Sequence, residues 1–225
     1  MPTLTLPGTP TDGWLVLIGG GEFSFGETEE FDRFLIGKMP ADRRRIAFIP
    51  TASGSPDYAR HLGSYFATLD PSLETVNVPV YRSRDVKRGK NLETIRTAGL
   101  VYVGGGVTNL LAETLRASPA EEAMREALAR GAVVAGIGAG AACFGAWTLD
   151  VRRPGAPLPG FGWIPGAAIE TAFDPSSGES LARLMSLGDV LVGLGIPSNA
   201  ALAVAPDRTA TILGDGRIAV LRKPV

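Results

Sequence analysis

The chemistry this chain offers centres on a turn with no reactive group at its tip. Gly136-Ile137-Gly138-Ala139-Gly140-Ala141 follows the apolar stretch Ala132-Val133-Val134-Ala135. A strand that passes through a small-residue turn into a helix is the frame on which many hydrolases expose a serine or cysteine. Here Gly138 stands at the tip, and glycine has nothing with which to attack. The segment from Ala141 to Trp147 reads as the following helix.

Few groups are available to substitute. Cys143 lies five residues past Gly138 among Ala141, Ala142 and Phe144, where a cysteine reads as a small core residue. A nucleophile also needs a base within hydrogen-bond reach. The single histidine, His61, falls in a helix after Pro56 and reads as an ordinary helix position. Ser53 sits at a strand end with no evident activator. Carboxylates remain: Glu22 at a glycine turn, and Glu170 and Asp174 further on. A carboxyl pair does acid–base work only when one member is held at a raised pKa. Glu22 reads better as a rim or cap residue. Ser176-Ser177 reads as the cap of a helix through Met185.

The elements that must position these groups alternate. Strands are predicted at Trp14–Ile18, Ile46–Ile49, Thr75–Val80, Leu100–Val103 and through Ala132–Ala135. Helices are predicted at Glu27–Ile36, from Pro56 to Thr68 with Ser55 as cap, at Asn91–Thr97, at Thr108–Arg116 and at Ser118–Ala129. Fully apolar strands separated by helices imply a parallel sheet covered on both faces. The last quarter holds short strands at 168–171, 190–193, 201–205, 209–213 and 218–221. Gly214-Asp215-Gly216 signals a hairpin between the last two. Pro154–Pro165 reads as an ordered loop over the strand ends. The expectation is one α/β domain over residues 1–225, three-layered, with a mostly parallel central sheet and an antiparallel C-terminal extension. Residues 1–12 are expected to be a flexible lead-in.

Three glycine clusters, Gly19–Gly21, Gly104–Gly106 and Gly136–Gly140, fall at predicted carboxyl ends of strands, where open α/β sheets bind ligands. Each is a tight turn at the least, and together they suggest one cleft. Its expected lining is Gly20, Gly21, Glu22, Gly105, Gly106, Gly138, Ala139 and Glu170. A dinucleotide site is not indicated: Gly19-Gly20-Gly21 runs into Glu22-Phe23-Ser24, without the fingerprint's third glycine.

Composition narrows the classes. The 225 residues carry a net charge of −1, with 45% hydrophobic residues. No overall basic field draws in nucleic acid or an anionic membrane, and Arg43-Arg44-Arg45 reads as a solvated loop edge. One cysteine permits neither an internal disulfide nor a zinc cluster. No metal or cofactor is expected. The first residues do not read as a signal peptide, and no apolar run reaches the ~18 residues of a membrane span. A cytoplasmic protein is the default.

With these pieces in order, the chain resembles the dipeptidase E / cyanophycinase family of serine peptidases. The resemblance rests on Ile18-Gly19-Gly20-Gly21-Glu22, Ile49-Pro50-Thr51-Ala52-Ser53, Tyr102-Val103-Gly104-Gly105-Gly106 with Leu110-Leu111, Gly160-Phe161-Gly162, Ile169-Glu170-Thr171-Ala172-Phe173 and Gly193-Leu194-Gly195-Ile196. It implies a class I glutamine amidotransferase-like fold. It also implies a glycine turn at Gly104–Gly106 that gives oxyanion and substrate contacts. The family elbow reads Gly-x-Ser-Ala-Gly-Ala, so Gly138 stands in the place of its serine. Ala172 stands where the family has its histidine, and Pro197-Ser198 replace an acidic pair. Val107 takes the place of an Asn or Asp, with Asn109 two positions on. Asp150 is the position matched to the triad acid. Loss of so many groups together suggests an inactive member whose cleft keeps a small-molecule or peptide ligand, in a chain that forms a homodimer. The alternatives are a carboxylate- or metal-based hydrolase at the same cleft, and a peptidase with a displaced nucleophile at Cys143 or Ser53.

Overall fold

The computed structural model describes residues 4–8, 11–53 and 56–223. The Ser55 cap lies outside the described residues. Strands β1 (Leu4–Thr5), β2 (Trp14–Ile18), β3 (Arg45–Ile49), β4 (Glu74–Asn77), β5 (Leu100–Val103) and β6 (Val133–Ile137) lead to the elbow. They alternate with helices α1 (Glu29–Lys38), α2 (Pro56–Leu69), α3 (Gly89–Thr97), α4 (Thr108–Leu115) and α5 (Pro119–Ala129). The elbow helix α6 (Ala139–Ala142) precedes β7 (Gly145–Leu149), β8 (Pro157–Pro159), β9 (Ile164–Thr171), α7 (Glu179–Met185), β10 (Val192–Ile196), β11 (Ala200–Val204), β12 (Thr209–Gly214) and β13 (Ala219–Arg222).

The main sheet has the order β1-β12-β11-β2-β6-β5-β3-β4. Strands β2, β6, β5, β3 and β4 run parallel, and β11, β12 and β1 extend the sheet antiparallel beyond β2. Alternation of side chains along each strand divides the core in two. Val16, Ile18, Phe48 and Tyr102 pack with α1 and α2 through Phe31, Leu35, Leu62 and Phe66. Leu17, Ile49, Val103 and Val134 face the other way and pack with α3, α4 and α5 through Ile95, Leu111 and Met124. Part of the N-terminal lead-in is ordered: Leu4 and Thr5 pair with Ala210 and Thr209, and Leu6 is buried.

Three expectations about local structure are corrected. The segment from Ala141 to Trp147 is helical only to Ala142. The carbonyls of Cys143, Phe144 and Gly145 accept from Phe161, Trp163 and Gly162 amides, which draws the chain into β7. The glycines at 214 and 216 do not close a hairpin. β12 stays in the main sheet, while β13 crosses to a second, five-stranded sheet of order β13-β10-β9-β7-β8. Gly216 is needed for its approach to Asn199, whose Oδ1 would lie 2.5 Å from an added Cβ. The hairpin that does form joins β11 to β12, closed by Arg208 N–H donating to the Ala205 carbonyl. Asp174, not the serine pair, makes the local cap: it accepts from the Ser176 amide at 2.8 Å, and α7 opens at Gly178 with no side-chain cap.

The second sheet buries one face in the main core through Ile164, Ile169 and Leu194. Its other face packs Ala168 against Leu181 and Leu184 of α7. It occupies the region read from sequence as a simple extension, including the Pro154–Pro165 loop, which holds β8 and the start of β9.

Candidate functional site

The elbow turns at Gly138, with φ 53° and ψ −118°. Non-glycine residues rarely adopt this region, and it is where strained functional turns are found. The Gly138 amide donates to the Ile18 carbonyl at 2.9 Å, which fixes the tip against β2.

The elbow glycines have different reasons to be glycine. A Cβ on Gly136 would sit 2.5 Å from the Gly140 carbonyl carbon, and one on Gly140 would sit 2.3 Å from the Val103 carbonyl oxygen. Both are excluded by backbone. A Cβ on Gly138 would meet nothing within 4 Å. Packing therefore requires the two flanking glycines and leaves room for a side chain at the tip.

That open space belongs to a cavity of about 340 Å³ lined by Gly106, Gly138, Ala139, Glu170 and Ala172, with Thr108, Thr148 and Thr171 supplying hydroxyl-bearing side chains. The positions matched to the serine and the histidine thus share one cavity. Ala172 has φ 50°, a left-handed conformation held by its amide on the Gly19 carbonyl at 2.9 Å and the Phe173 amide on Ile196 at 3.1 Å. Ala139 is the first residue of α6, so its N–H has no intrahelical acceptor and is of the kind that binds an oxyanion.

The other predicted cleft residues lie elsewhere. Gly19–Gly21 is filled from above: an added Cβ on Gly19 would lie 2.0 Å from the Pro197 carbonyl oxygen, and one on Gly20 would lie 2.9 Å from Ser198 Oγ. The Pro197-Ser198 loop thus packs directly on this turn. Glu22 caps a short 3₁₀ turn at Phe23–Phe25, accepting from the Ser24 amide at 3.2 Å. Gly105 rests on the Ile137 carbonyl, 3.1 Å from its Cβ position. Among the cavity's lining residues, Thr108, Thr148 and Thr171 were not singled out from sequence. Thr108 follows the Gly104–Gly106 turn closely enough to have been found, whereas Thr148 is brought in only by the turn from α6 into β7.

Glu170 is the one titratable group on the cavity. Burial raises its pKa, partly offset by the Leu181 amide, and its Oε2 is buried without a hydrogen-bond partner. Asp150 is buried but committed elsewhere. It accepts from Asn109 Nδ2 at 2.9 Å, the Arg152 amide at 2.8 Å and Arg153 Nε at 3.0 Å. The Asn109 bond leads the donors that lower its pKa to about 2. These bonds tie α4 to the loop after β7 and do not present the carboxylate to the cavity.

The remaining nucleophile and base candidates do not reach the site. Cys143 is fully buried, its thiol pushed up to about 12 by burial. His61 is exposed on α2, which packs on the sheet face opposite the elbow helix. The Ser53 hydroxyl donates to the Pro50 carbonyl at 3.1 Å, and Ser53 is not among the residues lining the cavity. Asp174 is taken up by Ser176. Trp147, Trp163 and Phe161 do not plug the cavity: Trp147 Nε1 donates to Asp189 at 2.7 Å, Trp163 Nε1 to Glu121 at 2.9 Å, and Phe161 stacks edge-on against Phe144. Among the described residues no three His, Cys, Asp or Glu side chains converge as a metal-ligand set, and no helix is long and apolar enough to cross a membrane.

The fold has solved counterparts. A crystal structure of a peptidase from an acI-B1 actinobacterium superimposes with a TM-score of 0.77 over 93% of this chain and 91% of that one, at 26% identity. The 1.5 Å crystal structure of a putative peptidase E protein from Listeria monocytogenes EGD-e gives a TM-score of 0.55 over 94% and 99%; at 14% identity it supports the fold alone. In sequence, an uncharacterized peptidase of Bacillus subtilis strain 168, YgaJ, is 32% identical over 156 residues, 68% of this chain and 66% of that protein. The match thus spans just under two thirds of that relative's length. Residues 15–159, from β2 through the elbow to β8, match the model of peptidase family S51. The elbow lies inside the matched stretch, and the chain belongs to peptidase family S51, the dipeptidase E family.

Proposed function

We propose that this chain is a catalytically silent member of family S51 that keeps the elbow cavity as a binding site for a small molecule or short peptide. The supporting observation is the pairing of Gly138 and Ala172 on one open cavity. Covalent peptidase catalysis needs a nucleophile and a base in contact, and these two positions carry neither. The cavity around them has not collapsed. Its volume lies within the range of small-ligand pockets, and an amide at Ala139 remains for a carboxylate or carbonyl oxygen.

The test is direct. The purified chain should resist a serine-directed fluorophosphonate probe and leave aspartyl dipeptides intact, while native mass spectrometry reports any retained ligand. Dipeptide hydrolysis that disappears when Thr171→Trp fills the cavity would overturn the proposal.

One observation favours a second reading, a hydrolase of different chemistry. Glu170 is among the residues that line the same cavity, and burial raises its pKa, as an acid–base group requires. Under this reading hydrolysis is present in the wild-type chain and is lost in Glu170→Gln.

A further inference from the structure

The net charge of −1 hides a local concentration of the opposite sign. Between positions 82 and 90 stand Arg82, Arg84, Lys87, Arg88 and Lys90, with Asp85 as the only acid. This segment follows β4 on the same rim as the elbow cavity. It is joined to that rim through Thr51, whose hydroxyl donates to the Val80 carbonyl at 2.5 Å, and Ala52, whose carbonyl accepts from the Val107 amide at 3.1 Å.

The loop is rigidly built. Asp85 is buried, accepts from the Tyr81 and Arg82 amides at 3.2 and 3.1 Å, and pairs with Arg88 at 2.9 Å. Its own carbonyl accepts from the buried Asn91 side chain at 3.2 Å. A single carboxylate therefore fixes the backbone from which the arginines project. Among the described residues, Arg82, Lys87 and Lys90 have no ion-pair partner, and Arg84 only grazes Asp85 at 4.0 Å.

Arg82, Arg84 and Arg88, with Pro79, Tyr81 and Asp85, line a cavity of about 500 Å³. Arg88 occupies the N-cap of α3 with no side-chain cap bond, and the first turn contains no acid. Cations at the positive end of a helix dipole are unfavourable, and an anion between them reverses the sign.

We propose that this cavity is a binding site for a phosphoryl dianion carried on a small molecule, a phosphomonoester. Guanidinium groups match phosphate oxygens in two-point geometry. The volume exceeds what free phosphate needs and leaves room for an organic group beside it. The site is separate from the elbow cavity and does not depend on how that cavity is read.

Isothermal titration of the whole chain at low ionic strength, with inorganic phosphate and with phenyl phosphate, tests this. Expected are saturable binding of both, phenyl phosphate at least as tight, and a steep loss with added salt. Arg82→Ala and Arg84→Ala should each weaken binding by about tenfold. Neither variant removes a bond of the Asp85 clamp shorter than 4.0 Å, and thermal melts confirm the fold. Arg33→Ala, at an exposed arginine on α1, should bind as the wild type does. Absence of saturation, binding unaffected by either loop variant, or binding confined to a polyanion such as heparin would each overturn the proposal.

Discussion

Restoring side chains at the elbow tests both the geometry and the functional reading. Gly138→Ser places a Cβ where nothing lies within 4 Å, so its cost is confined to backbone strain. At φ 53° that is about 1–3 kcal/mol, reduced by the ~0.4–1 kcal/mol gained from a less flexible unfolded chain. For a chain of this length the midpoint of thermal unfolding should fall by roughly 2–4 °C per kcal/mol, a modest drop. Gly138→Ala should fall equally, since no contact distinguishes them. Gly136→Ala, with backbone 2.5 Å from the new Cβ, should lose far more, about 3 kcal/mol or beyond. The double variant Gly138→Ser/Ala172→His then supplies nucleophile and base on one cavity. Position 172 already sits at φ 50°, a region histidine tolerates better than most residues, so the second change adds little strain. Asp150 is held by Asn109 and the Arg152 amide and cannot orient the new imidazole. The expected product is a crippled dyad that takes up a fluorophosphonate but turns over about 10⁴-fold below a complete triad. Labelling of the wild type, or a folded double variant that never labels, would refute the reasoning. The first outcome would locate a nucleophile elsewhere, and the second would mean the oxyanion donors are misplaced.

Three other outcomes follow from buried groups. Asp32 is fully buried beneath Thr28 and Tyr65, and burial raises its pKa to about 6. It holds its proton more tightly folded than unfolded, so stability falls as pH rises from about 4 to 6. Asp32→Asn should therefore gain about 1–3 kcal/mol over the wild type at pH 7, with the gain vanishing near pH 4 in paired chemical-denaturation curves; a pH-independent difference would contradict this. Cys143, with its thiol raised to about 12, should resist iodoacetamide at pH 8 until denaturant is added, and rapid native alkylation would show that α6 opens. Gly195→Ala brings a Cβ within 2.6 Å of the Phe173 ring. It should cost about 1–3 kcal/mol, and Phe173→Leu in the same chain should recover part of that in thermal melts.

The parts of the fold that were legible in the sequence are those set by local pattern. Apolar stretches such as Leu100–Val103 and Leu15–Ile18 are buried on both sheet faces, and the helices between them carry their own start signals, such as Ser118-Pro119. The second sheet was not legible because its main pairings are long-range: β7 pairs with β9, and β9 with β10, where the carbonyls of Cys143 to Gly145 are claimed by Phe161 to Trp163. Gly214 and Gly216 misled because glycine serves close approach as readily as a turn. At the site, the glycine turns and the missing nucleophile could be read from motif order. The closure of Gly20 by Ser198, the inward turn of Asp150 and the rigid basic loop at 82–90 could not, since each depends on a partner distant in sequence or on a buried carboxylate.

The strained backbone at Gly138 and Ala172 has a cause in the fold. The Ala172 amide donates to the Gly19 carbonyl, the Phe173 amide to Ile196, and the Gly138 amide to Ile18 on β2. Both conformations are thus fixed by backbone bonds at the strand ends. Strain that the fold imposes is a cost to every side chain placed there, and glycine at the tip removes about 1–3 kcal/mol of it. Glycine is then the stabilising residue at the tip, in keeping with the general opposition between active-site strain and stability. The Ile18 carbonyl on β2 holds the elbow in shape, and the cavity stays open around a tip that carries no side chain.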